Sequence, residues 1–126
     1  MPPKGLAFRA EQLAYLGSEA HRMFTSKKVG ALIAGCEQHG FAPGTDEAAN
    51  TREWRRKYDR ATKVPARLVE KLERTRAHAR EAWKTAREQS KFRLFKSHLQ
   101  KMVDLNRQMA DCWGYQESRY DALLES

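Results

Sequence analysis

The stretch Leu6-Ala7-Phe8-Arg9-Ala10-Glu11-Gln12-Leu13-Ala14-Tyr15-Leu16-Gly17-Ser18-Glu19-Ala20-His21-Arg22-Met23-Phe24-Thr25-Ser26 repeats its apolar residues at three- and four-residue steps. That period belongs to an α-helix and not to a strand, whose period is two. It predicts a helix over 6–26 that packs through Leu6, Ala10, Leu13, Leu16, Ala20, Met23 and Phe24.

The same period continues on the C-terminal side of this stretch. A shorter helix is predicted over 27–39, with Val29, Leu32, Ile33 and Cys36 as its stripe and Gly40 as its stop. Gly30 and Gly35 weaken it by about 1 kcal/mol each relative to Ala. Phe41-Ala42-Pro43-Gly44-Thr45 reads as a loop from its Pro-Gly pair, and Thr45 or Asp46 is placed to cap a helix over 46–63. The inward positions of that helix are Ala48, Trp54, Tyr58 and Ala61. Val64-Pro65 then breaks it, because the residue before proline is pushed out of the α region.

A helix over 65–89 follows, with Leu68, Val69, Leu72, Ala79, Ala82, Trp83 and Ala86 in helical register and Glu70 four residues before Arg74. Ser90 is placed to cap a helix over 91–113 that carries Phe92, Phe95, Leu99, Met102, Met109 and Trp113, and Gly114 ends it. A partial helix begins near 118, with Tyr120, Leu123 and Leu124. No strand pattern interrupts this series. The fold class is therefore all-α: a single helical domain over 1–126, built as an antiparallel bundle of about five helices joined by short turns. The expected core is Leu13, Trp54, Tyr58, Leu72, Trp83, Phe95, Leu99, Met102 and Trp113.

The net charge of +8 draws in anionic partners in general: nucleic acid, acidic protein or anionic lipid. The basic run Arg52, Arg55, Arg56 and Arg60 is interleaved with Trp54 and Tyr58, a pattern that suits phosphate pairing with base stacking. Trp54 and Tyr58 lie four residues apart and share a face, so the preferred reading is a core face with a solvated basic surface opposite. A module binding nucleic acid or an acidic protein is the alternative. No stretch approaches the ~20 apolar residues of a membrane span, and no membrane partner is expected. The two cysteines, Cys36 and Cys112, form no CxxC pair, which disfavours a disulfide framework and suggests small packing residues in a reducing, cytoplasmic setting.

Catalytic patterns are missing. There is no HExxH, whose two histidines one turn apart reach one zinc while the glutamate serves as base. His21, His39, His78 and His98 have no second histidine at i+3 or i+4; His78 shares a face only with Glu81. GxSxG, GxGxxG and GxxxxGK[ST] are absent as well. No catalytic residue, metal ligand or cofactor is expected in this chain.

Met1-Pro2-Pro3 leads into Arg9-Ala10-Glu11-Gln12-Leu13-Ala14, and Asn50-Thr51-Arg52-Glu53-Trp54-Arg55-Arg56-Lys57-Tyr58 is followed by Ala61-Thr62-Lys63-Val64-Pro65. These stretches resemble the Met-Pro-Pro loop, the Arg-Ala-Glu-Gln-Leu helix and the Leu-Arg-Glu-Trp-Arg-Arg-x-Tyr helix with its Ala-Thr-x-x-Pro ending in the carboxypeptidase Taq family of zinc metallocarboxypeptidases. Ala82-Trp83, Ala110-Asp111, Gly114-Tyr115 and Tyr120-Asp121-Ala122-Leu123-Leu124 follow in the family's order, while Lys4 and Thr51 stand where the family usually has Gly and often Leu.

The resemblance implies the N-terminal helical part of a longer all-α, zincin-like enzyme. The family's HExxH helix, third zinc ligand and substrate-carboxylate residues then lie downstream, and these N-terminal helices wall a deep groove. It also implies that the rest of the carboxypeptidase is a partner, that zinc belongs to the whole enzyme, and that the chain is a piece cut at both ends. Uncovered apolar surface would then favour a homodimer through the first or fifth helix.

Overall fold

The computed structural model describes residues 3–124. Met1 and Pro2 of the Met-Pro-Pro loop lie outside the described residues, and a 3-10 turn over Pro3–Gly5 opens the chain. Among the described residues six α-helices follow: α1 (Leu6–Phe24), α2 (Lys27–His39), α3 (Asp46–Thr62), α4 (Ala66–Glu88), α5 (Arg93–Trp113) and α6 (Arg119–Leu124). Among the described residues no strand occurs and no helix is long and apolar enough to cross a membrane.

Local chemistry explains most boundaries. The Ser26 hydroxyl accepts from Val29 N at 3.3 Å and the Thr45 hydroxyl from Ala48 N at 3.3 Å, each satisfying an amide left free in a first helical turn. Gly40 closes α2 with φ of 72°, a left-handed geometry that glycine adopts without steric cost. One boundary differs from expectation. Ser90 does not cap α5; it turns the chain with φ of 52°, and α5 begins after Phe92.

Helix α4 is the middle of the bundle, with α1 along one side and α5 along the other. The apolar core is Val64, Leu68, Leu72 and Leu105, against which Val69, Met102, Met109, Cys112 and Trp113 pack. Helix α1 runs antiparallel to α4, because Glu11 pairs with Arg74 while His21 meets Val64.

The face that α1 turns toward α4 keeps Ala10 of the expected stripe, with Leu6, Leu13 and Phe24 half-buried, and departs from it at Leu16, Ala20 and Met23. Ala10, Ala14 and Ser18, one helical turn apart, are buried, whereas Leu16 and Met23 are 60% and 71% exposed. Small side chains let the two backbones approach closely. A Cβ on Gly17 would come within 2.8 Å of Glu73 Cγ, which shows how near α4 lies. Ser18 tolerates burial because its hydroxyl donates to Tyr15 O at 3.2 Å.

Three of the expected core residues are corrected. Trp54 is 46% exposed at the lip of an apolar groove that it shares with Phe24 and Ile33, because Thr51 takes the buried position of α3 instead. Trp83 is 45% exposed, and the Arg87 guanidinium covers its ring at 5.4 Å. Leu99 is exposed, since the part of α5 that meets the core lies further along, at Leu105. Leu72 is buried, and Leu13, Tyr58, Phe95, Met102 and Trp113 are half-buried.

Candidate functional site

The basic run of α3 sits where several helix ends converge. Its arginines are largely engaged within the molecule. Arg55 Nη2 donates to Glu37 Oε1 on α2 at 2.6 Å and Arg55 Nη1 to Asp59 Oδ1 at 3.3 Å. The hydrogen bond to Arg55 holds the Glu37 carboxyl below the ordinary carboxylate range, and the same contact raises Arg55. Arg56 Nη2 reaches Glu53 Oε2 at 3.2 Å. Arg52 lies exposed.

Arg60 is held differently. Its guanidinium stacks 3.9 Å over the Trp113 ring, its Nη2 donates to Ala122 O at 3.3 Å, and its own carbonyl accepts from Trp113 Nε1 at 3.2 Å. A planar cation over an indole face is attracted by the ring quadrupole. The pair thereby ties α3, α5 and α6 into one corner, and a cavity there is lined by Arg60, Lys63, Trp113, Tyr115 and Asp121.

Two further tethers fix the other side. Tyr58 Oη donates to Ser26 O at 3.1 Å, and its ring meets Phe24 edge-on at 6.1 Å. The His21 ring donates from Nε2 to Val64 O at 2.8 Å, since a carbonyl can only accept. Sequence spacing finds neither tether, because each joins helices far apart along the chain. The only local signal was the Trp-x-x-x-Tyr pair, and the structure separates its members: Tyr58 anchors and Trp54 faces outward.

Among the described residues, no paired acid and base and no activated nucleophile is found in this corner. Glu81 pairs with Lys84 at 3.1 Å. Burial, then the charges of Lys101 and His78, pushes the His98 ring below its ordinary value. Cys36 and Cys112 are free, half-buried thiols. Among the described residues no three His, Cys, Asp or Glu side chains converge as a metal ion requires.

Comparison with known proteins gives the chain its place. The family model for the carboxypeptidase Taq (M32) metallopeptidases matches residues 1–126. Thermostable carboxypeptidase 1 of Thermus thermophilus is 32% identical over 113 residues, covering 88% of this chain and 22% of that protein. Carboxypeptidase 1 of Bacillus subtilis is 27% identical over 124 residues, covering 98% of this chain and 25% of that protein. The crystal structure of BsuCP superposes with a TM-score of 0.90 at 27% identity, over 99% of this chain and 25% of that one. The structure of CHT follows with a TM-score of 0.68 at 31% identity.

Fold and relatives together define an all-α segment of metallopeptidase type. The chain belongs to the carboxypeptidase Taq (M32) metallopeptidase family. It spans about a quarter of the length of the curated relatives it matches over most of its own.

Proposed function

We propose that this chain is the N-terminal, groove-forming helical portion of a zinc-dependent metallocarboxypeptidase that removes C-terminal amino acids from peptides, and that it is inactive alone. The observation that carries this reading is the BsuCP superposition, which takes in nearly all of this chain and only 25% of the larger one.

The residues themselves support a structural role. The tethers from Tyr58, His21 and Trp113 hold the helix ends in one arrangement, as a groove wall requires. Without three converging donor side chains among the described residues, this chain's own groups do not fit a zinc centre. The HExxH helix, the third ligand and the groups that hold the substrate carboxylate belong, in this reading, to the rest of the enzyme. A cytoplasmic location goes with it, supported by the two free thiols.

In the complete enzyme, the rest of the chain covers the outward stripe of α1. In the isolated chain that stripe drives homodimer formation. The alternative of a basic module for nucleic acid is less well supported, because Arg55, Arg56 and Arg60 are already engaged with Glu37, Glu53 and Trp113. Reading the gene on past Ser126 tests the proposal. An HExxH in frame is the expected result, and several hundred further codons without one would overturn it.

A further inference from the structure

The turn between α4 and α5 stands clear of the rest of the bundle. It lies at residues 89–92, about 22 Å along the helix axis beyond Arg74, whereas α1 begins only about 8 Å beyond Glu11, the partner of Arg74. This convex tip combines two properties. From Gln89 to Val103 the sequence contains no acidic residue, and Lys91, Arg93 and Lys96 have no carboxylate partner among the described residues. Beside these cations, Trp83, Phe92 and Leu94 are exposed, with Phe92 packed edge-on against Phe95 at 6.4 Å.

We propose that this tip is a docking surface for an anionic lipid bilayer, into whose interface Phe92 and Leu94 insert while Lys91, Arg93 and Lys96 meet the headgroups. Apolar insertion and basic attraction are the two contributions that peripheral membrane binding combines. Trp83, about two turns behind the tip on α4, stands where indole rings favour the headgroup level. A second copy of the chain does not suit this surface tip to tip, because Lys91, Arg93 and Lys96 outnumber Glu88, the acidic residue that borders the turn, and two such tips repel. Single-stranded nucleic acid suits it less well: a convex tip offers no groove to track a backbone, and the aliphatic Leu94 provides insertion but no base stacking. The proposal goes beyond the peptidase reading and does not rest on it. It departs from the expectation of no membrane partner, which rests on the lack of a spanning segment.

The test is co-sedimentation of the full chain with phosphatidylcholine vesicles, with and without phosphatidylserine, together with a fluorescence-labelled single-stranded oligonucleotide assay. Binding to the phosphatidylserine vesicles is expected, with little to phosphatidylcholine alone. Removing two charges in Lys91→Gln/Arg93→Gln lowers partition roughly thirtyfold, at about a factor of five per basic residue. Phe92→Ser/Leu94→Ser also lowers it at least about tenfold. Both variants keep the far-ultraviolet helical signal, since the altered side chains are exposed, and Arg52→Gln on α3 leaves partition nearly unchanged. Failure to bind phosphatidylserine vesicles, partition insensitive to both tip variants, or oligonucleotide binding without vesicle binding would each overturn the proposal.

Discussion

The hydroxyl of Tyr58 fills the space that a side chain on Gly30 would need: a Cβ there would lie 2.6 Å from Tyr58 Oη. The same hydroxyl donates to Ser26 O at 3.1 Å, so the glycine in α2 and the tyrosine in α3 together set how α3 meets the α1–α2 corner. In an unconstrained helix Gly→Ala gains about 1 kcal/mol. Here overpacking costs about 1 to 3 kcal/mol, and Gly30→Ala is expected to be net destabilising. In the Tyr58→Phe background the clash with the hydroxyl is gone, and the same substitution costs less by about 1 kcal/mol. Urea unfolding of the four proteins in this cycle measures the coupling, and strictly additive effects would contradict it.

The inward face of α1 gives a second test. Ala14→Leu forces a large side chain between α1 and α4, where Ala14 is almost wholly buried, and is expected to cost about 1 to 3 kcal/mol. Leu16→Ala on the outer face changes stability by less than about 0.5 kcal/mol. Shifts in urea midpoint that come out in the opposite order would restore the orientation read from spacing.

These two faces show how far the sequence could be read. Helix positions were legible because period, Pro65, Gly40 and Gly114 act locally. The facing of α1 was legible only in part: Ala10 lies on the expected stripe and is buried, but Ala14 and Ser18 continue its four-residue series, and hydrophobicity ranks them below Leu16 and Met23. Close helix approach selects for small side chains, and that preference depends on the partner helix. The candidate site was less legible still: the stacking of Arg60 on Trp113 joins residues that only the folded α3–α5–α6 corner brings together.

Stability is expected to fall on acidification. Hydrogen bonds from Arg74, Arg55 and Arg119 hold the Glu11, Glu37 and Asp111 carboxyls below their ordinary values. Their folded values lie below the unfolded ones, so the stability they add is present above about pH 4.3 and is lost as pH falls through the folded values. His98 adds an earlier loss of the same sign: its folded value is lowered, so below about pH 6.5 the unfolded chain takes up the proton first. Thermal midpoints from neutral to acid pH follow this. Glu11→Gln flattens only the acid limb, and modestly, because the pairs are exposed and salt weakens them.

Phe8, Tyr15, Leu16 and Met23 form an exposed apolar stripe along the outside of α1. Sedimentation equilibrium of the isolated chain is expected to show a concentration-dependent dimer, which Leu16→Glu/Met23→Glu disrupts. Monomer alone at high concentration would contradict self-association through this helix.

The most direct test of the proposed role is release of the C-terminal amino acid from a short peptide by the purified chain, supplied with zinc, with and without a chelator. Among the described residues no three His, Cys, Asp or Glu side chains converge as a metal ion requires, and the expected release equals the peptide-only background. Chelator-sensitive release that rises in proportion to the amount of chain would contradict a purely structural part in a larger metallocarboxypeptidase.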